Sequence, residues 1–252
     1  MSMITIIGRG HSGTRAMSQT LSESGVFMGA ETNTSGDLIP PEEMYEACRI
    51  FGKFVQWKGG LEWDWSALYS MPVDPEFERL IRSYLKSVLE NPSPRKGWKI
   101  PETTLVFPWI TRLFPDLHYI FWIRHPIDSI LGDHVTDDLR AFNIDYPETD
   151  DPIKRRAISW KYQYDLVRNA PRPEHWIEVR FEDFVLYQDD TLERIGDFLG
   201  LKLEKIPVST APVGRWKEVE NPPVFDFLEP AMREYGYEIP GPEGSSSNVR
   251  SS

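Results

Sequence analysis

Residues 8–15, GRGHSGTR, join an apolar run to a helix-like pattern almost at the start of the chain. Such a junction lets backbone N–H groups and a helix N-terminus face an anion. The chemistry it suggests is the holding of a phosphate-bearing ligand. The Walker form of this loop requires Lys and then Ser or Thr directly after the last glycine. Here Gly13 is followed by Thr14 and Arg15. Two other cations close predicted strands, Lys99 in GWKIP and Arg124 in WIRHPIDSIL. A further basic group, GRWK at 214–217, lies in an irregular segment bounded by prolines. Nothing in the loop bridges the outer phosphates of a nucleoside triphosphate. The strongest strand ends in Arg124 where a Walker-B Asp would stand, so an ATP-dependent kinase is the weaker enzymatic reading. The plainest alternative is a tight strand–helix turn that holds no ligand.

These groups need elements that bring them to one place. Residues 3–8 read as a buried strand and 13–24 as a helix. Residues 40–57 begin with Pro and acids, as helix N-termini do. Residues 74–90 carry Phe77, Leu80, Ile81, Tyr84, Leu85 and Val88 at helical spacing. KGWKIP predicts a short strand ending at Pro101, and TTLVFPWITRLF a helix despite Pro108. LHYIFWIRHP is the clearest buried strand, with a helix starting in IDSILGDH. Residues 151–169 predict a helix with Ile153, Ala157, Trp160 and Tyr164 along one face. HWIEVRFEDF predicts a strand, and DDTLERIGDFLGL a helix closed by Gly200. Strands alternating with helices imply an α/β fold, a central, mostly parallel sheet flanked by helices. Ligands of open α/β sheets bind at the C-terminal edge of the strands. Residues 133–150 are acidic, contain Pro147 and show little periodicity, which predicts a mobile loop.

The 252 residues fit one large domain, expected over 1–240. The Gly/Ser-rich end, 241–252, predicts a disordered tail. A formal net charge of -11 argues against nucleic acid as a partner. A single cysteine, Cys48, leaves neither a disulfide framework nor a thiolate cluster for zinc. The expected compartment is cytoplasmic. No apolar run reaches the ~18 residues of a membrane span, and the first residues enter a strand with no signal-peptide pattern.

Taken in chain order, GRGHSGTR, GWKIP, WIRHPIDSIL, VRFEDFVLYQDDTLERIGDFLGL and VGRWKEV resemble the sulfotransferases that use 3′-phosphoadenosine 5′-phosphosulfate (PAPS). The resemblance runs from about residue 4 to 220. GRGHSGTR resembles the family's 5′-phosphosulfate loop, usually Lys or Arg followed by Ser-Gly-Thr. IRHPIDSIL resembles its 3′-phosphate motif, and GRWK the loop that closes over the nucleotide. GAET and WKIP are similar to segments of the protein-tyrosine sulfotransferase branch. The resemblance implies a P-loop-like fold. It also implies transfer of a sulfuryl group to an acceptor hydroxyl, or secondarily an amine, leaving adenosine 3′,5′-bisphosphate. The acceptor would be a small molecule, a carbohydrate or a peptide. Nucleotide contacts are implied for Arg9, Gly10, His11, Ser12, Gly13, Thr14, Arg15 and Arg124, and for Gly214, Arg215, Trp216 and Lys217, with Trp216 packing on the adenine. Lys99 would reach the sulfuryl group, and His11 counts with it among the catalytic residues. Glu31 would be the general base, with Asp37 and Glu102 as runners-up. A reading of another class is a nucleotide-binding interaction protein without turnover.

Sulfuryl transfer, like phosphoryl transfer, is in-line, and positioning and electrostatics do most of the work. Charge grows on the leaving phosphate oxygen, where cations and loop N–H groups can stabilise it. Sulfate carries less charge than a terminal phosphate, so no metal is demanded. Two departures from the family pattern matter. His11 stands where the family has Lys or Arg, and an imidazole of reference pKa ~6.5 is a weaker cation at neutral pH. It can still donate a hydrogen bond, with Arg9 or Arg15 supplying fixed charge. Gly132 stands where the family has a serine, and Ser129, one turn earlier, is the candidate substitute. His118, His125, His134 and His175 could each act as a base in principle, His125 reading rather as structural. Trp57, Trp63, Trp65 and Tyr69 read as packing more than as an acceptor pocket.

Overall fold

The computed structural model describes residues 2–240; the tail expected at 241–252 lies outside the described residues. The chain runs β1 (Ser2–Ile7), α1 (Thr14–Glu23), α2 (Glu42–Gly52), β2 (Gln56–Gly59), β3 (Glu62–Asp64), α3 (Ser66–Ser70), α4 (Pro75–Tyr84) and α5 (Lys86–Leu89). There follow β4 (Arg95–Lys99), α6 (Phe107–Leu113), β5 (His118–Ile123), α7 (Pro126–Ile130), α8 (Pro152–Asn169), β6 (Trp176–Arg180), α9 (Phe181–Leu186), α10 (Gln188–Leu199) and α11 (Glu229–Glu234). Four strands form one sheet in the order β4-β1-β5-β6, every neighbour parallel. β2 and β3 form a separate antiparallel hairpin.

Side chains alternate across the strands, as a period of two requires. Ile4 and Ile6 of β1 and Ile120 and Trp122 of β5 pack with Met17, Leu21, Phe184 and Ile195 of the helices on one face. Ile7, Trp98, Tyr119 and Phe121 face the other way, onto Phe51, Phe77 and Trp109. The sheet is thus apolar on both sides and covered on both, as a parallel sheet must be. Its C-terminal edge is left open, and Gly8, Lys99, Arg124 and Phe181 each follow or end a strand there. Among the described residues, no helix is long and apolar enough to cross a membrane.

The expected elements recur with several corrections; TTLVFPWITRLF is α-helical only from Phe107, after a 3-10 helix over Pro101–Val106. The helix expected over 40–57 stops at Gly52, and the residues after it form the β2–β3 hairpin, which turns at Gly59 and Gly60, both with positive φ. The helix expected over 74–90 breaks at Leu85. The strand expected through HWIEVRFEDF ends at Arg180, and Phe181 opens a helix instead. Glu182 and Asp183 sit in the first turn of α9, where acids favour a helix start. Glu182 also accepts hydrogen bonds from His125 N (2.9 Å) and the Tyr237 hydroxyl (2.9 Å). Residues 133–150 are not a free loop. Two 3-10 turns, Val135–Asp137 and Leu139–Phe142, are anchored by fully buried Leu139, Phe142 and Ile144. Pro108 fits in the first turn of α6, where no N–H is needed.

Candidate active site

β1 delivers the chain to the loop, and Gly8 N donates to Thr104 Oγ1 at 2.9 Å. Gly13, at φ 85, caps α1. β5 ties the loop down from the side. Trp122 Nε1 donates to Ser12 O and Arg124 to His11 O, both at 2.9 Å. Those carbonyls are therefore engaged beneath the loop. The first turn of α1 holds Arg15 and no acid, a favourable setting for an anion.

A cleft of about 580 Å³ opens beside this loop. Gly10, His11, Gly13, Thr14 and Arg15 line it, together with Lys99, Arg124, Asp37 and His134. Phe181, Val185 and the segment from Ile206 to Pro212 give it apolar walls. Sequence reasoning missed these walls. Phe181 carried the one available signal, since it follows β6 as Arg124 follows β5.

Two buried cations face this space. Lys99, 3% exposed, donates to Asp37 Oδ1 at 2.6 Å and to Ser35 O at 2.9 Å. Burial lowers its pKa, and Asp37 opposes that shift. Arg124, 4% exposed, also donates to Pro212 O and stands 3.8 Å from Asp128. Burial lowers its pKa as well, with Asp128 opposing, and a guanidinium stays charged throughout.

Several expected contacts lie elsewhere. Arg9 turns under the loop, pairs with Asp137 and donates to Gly10 O, Ser129 O and Gly132 O. Its charge is spent inside the protein, and it does not line the cleft. Ser12 and Ser129 are buried with their hydroxyls 3.3 Å apart, so Ser129 clamps the loop from below and offers nothing to the cleft. Glu31 is exposed and also outside the cleft, because its strand-like pairing with the next turn runs through Thr32 and Leu38. The carboxylate that turns inward is Asp37. Glu102 is buried beneath it, with burial raising its pKa to about 7 and Oε1 lacking a partner.

The GRWK segment is docked. Asp128, fully buried in α7, accepts from Gly214 N at 2.7 Å and Trp216 N at 2.8 Å, while Arg215 donates to its carbonyl. The Trp216 ring stacks on His125, 5.2 Å away, which removes it as an adenine platform. Lys217 pairs with Glu238. Of the aromatic group at 57–69, Trp63 is buried against Tyr162, Trp65 and Tyr69 are half-buried, and Trp57 is 37% exposed.

The two departures at His11 and Gly132 prove to be one feature. A Cβ at residue 132 would lie 2.4 Å from His11 Nδ1, so the imidazole occupies the space a side chain there would need. Partial burial and the charge of Arg9 lower the His11 pKa. At neutral pH the loop therefore holds a hydrogen-bonding ring in place of a cation.

A profile of the sulfotransferase family matches residues 3–205. No curated protein matches the chain by sequence. Its fold is similar to that of the sulfotransferase domain from the curacin biosynthetic pathway, with TM-score 0.60 and 15% identity over 95% of this chain and 99% of that one. The sulfotransferase domain from the Synechococcus PCC 7002 olefin synthase gives TM-score 0.55 and 15% identity over 95% of each chain. Both likenesses speak for the fold, which is the P-loop-like sulfotransferase arrangement. With the profile spanning most of its length, the chain belongs to the sulfotransferase family.

Proposed function

We propose that this chain, as one domain over residues 1–240, moves the sulfuryl group of PAPS to an acceptor hydroxyl, or secondarily an amine. The acceptor would be a small molecule, a carbohydrate or a peptide. The observation that carries the reading is the meeting of the loop, Lys99 and Arg124 in one cleft at the C-terminal edge of the sheet. The residues fit such a donor substrate. Gly10, His11, Gly13, Thr14 and Arg15 would hold its 5′ end, and Arg124 its 3′-phosphate. The buried Nε of Arg124 has no protein partner, so the guanidinium keeps a donor for a second anion. Phe181, Val185, Pro207 and Val208 offer the adenine the apolar faces that Trp216 does not.

When bound, PAPS supplies the sulfuryl group and a phosphate leaving group. Asp37 takes the acceptor proton as the new S–O bond forms. Lys99, a hydrogen bond away from Asp37, balances the charge that grows on the leaving oxygen as the old S–O bond breaks. If the transfer is loose, proton loss comes late and a modest base suffices.

Calorimetry should find adenosine 3′,5′-bisphosphate bound about ten-fold or more tighter than adenosine 5′-phosphate, since a charge-assisted hydrogen bond contributes roughly 1.5–3 kcal/mol. Arg124→Ala should erase most of that difference. Tighter binding of ATP that depends on Mg²⁺ would turn the reading toward a kinase. Bisphosphate binding with no turnover across an acceptor screen would turn it toward a nucleotide-binding protein without catalysis.

A further inference from the structure

One imidazole in the cleft has no part in the reading above. His134 lines the cleft with Lys99 and Asp37. Its ring rests on the loop itself: a Cβ at Gly10 would come within 2.2 Å of His134 Cγ and Cδ2, so only glycine allows the contact. The ring is also fixed from behind. Nδ1 lies 3.3 Å from Thr136 N and 3.0 Å from Thr136 Oγ1. A backbone N–H can only donate, so Nδ1 accepts and the ring proton belongs on Nε2.

Helix α8 completes the arrangement. Gln163 Nε2 donates to Thr136 Oγ1 at 3.3 Å and to Ser159 Oγ at 2.9 Å. Ser159 Oγ donates to Thr136 O at 2.7 Å. Thr136 and Ser159 are fully buried and Gln163 nearly so. With Thr136 Oγ1 accepting from the amide, its own proton is free for His134 Nδ1. The donors thus run one way, from α8 toward the cleft. Among the described residues, Nε2 has no hydrogen-bond partner.

The charged and titratable groups around the ring are Arg9 and His11 of the loop, Lys99 of β4, Asp37, and Asp137, which accepts from the His134 backbone N. Burial comes first and the neighbouring cations follow; together they lower the His134 pKa to about 3. The ring stays neutral across any working pH. A ring whose free nitrogen already carries the proton is no base for an acceptor. It is a donor of fixed direction that adds no second charge beside a buried lysine.

We propose that His134 donates its Nε2–H to the sulfuryl oxygens of the bound donor substrate, a role that rests on the sulfuryl-transfer reading. Calorimetry with PAPS and with adenosine 3′,5′-bisphosphate separates the two ideas. His134→Phe should weaken PAPS binding roughly ten- to a hundred-fold, the loss expected for one hydrogen bond to a charged group. Bisphosphate affinity should stay within about two-fold, since it lacks the sulfuryl group. His134→Gln, which restores an N–H donor, should recover much of the PAPS affinity. Nitrogen-15 NMR of the unliganded protein should find the His134 proton on Nε2 with no titration between about pH 5 and 8. Unchanged PAPS affinity in His134→Phe, or a proton on Nδ1, overturns the role of His134. Wild-type protein that binds neither nucleotide overturns the sulfuryl-transfer reading beneath it. If His134→Phe misfolds, the wild-type NMR result and His134→Gln decide the matter.

Discussion

Asp37→Asn should lower kcat by roughly 10²–10⁴-fold, the range for a lost general base, while adenosine 3′,5′-bisphosphate still binds. The carboxylate is already aimed. Asn33 Nδ2 donates to Oδ2 at 3.0 Å, and Lys99 donates to Oδ1 at 2.6 Å. Asparagine keeps the shape and loses the proton acceptor. It also removes the partner of a buried ammonium, and breaking such a pair can cost about 3–5 kcal/mol. A denaturation curve must therefore accompany the kinetics. Glu31→Gln, at an exposed position outside the cleft, should turn over normally. If Glu31→Gln loses turnover and Asp37→Asn keeps it, the base assignment is reversed and the sulfotransferase family membership is untouched.

Lys99→Ala should lower kcat by roughly 10²–10³-fold, the loss seen when one transition-state donor is removed. Affinity for the bisphosphate product should change far less, because Arg124 and the loop hold the nucleotide. The pH dependence gives a second readout. Burial lowers the Lys99 pKa, and the ammonium is the working form. Activity should then fall as pH rises through that lowered value. Lys99→Arg should push the falling limb to higher pH, since a guanidinium does not deprotonate there. The double variant Asp37→Asn/Lys99→Ala should lose less than the product of the single losses, as groups in contact do. Full activity in Lys99→Ala would make the lysine a structural partner of Asp37 only.

Much of this site could be read before the structure. Strands β1 and β5 are short apolar runs followed abruptly by Gly8 and Arg124, so their type and their chemistry were legible together, while the short RKGWK strand β4 was marked by Trp98 and Lys99 just before Pro101. The inward carboxylate was not. Glu31 and Asp37 are six residues apart in an irregular turn, where neither helical nor strand periodicity assigns a side. What settles it is local. Asn33 Oδ1 accepts from Ser35 N and Asp37 N, and Thr32 pairs with Leu38. The fates of Arg9 and Ser129 were hidden for a different reason. Their partners, Asp137 and Ser12, are more than a hundred residues away in the chain. Asp137 belongs to the stretch that composition marked as mobile, and its anchors Leu139, Phe142 and Ile144 follow no period because they pin irregular backbone. The joint substitution at His11 and Gly132 likewise became intelligible only when the ring and the missing side chain were seen in one place.

β1 precedes both of its sheet partners in the chain and is an inner strand of the sheet. β1 pairs on one side with β4, beginning Ser2↔Arg95, and on the other with β5. Its first partner is therefore synthesised about ninety residues later. At roughly 5–20 residues per second, that is a wait of about five to twenty seconds. Throughout it Ile4, Ile6 and Ile7, which end at or below 1% exposure, have no sheet to join. A nascent chain of this protein carries β1 as an unpaired apolar strand until the segment containing Lys99 emerges, which makes that strand a natural point of capture for a holding chaperone.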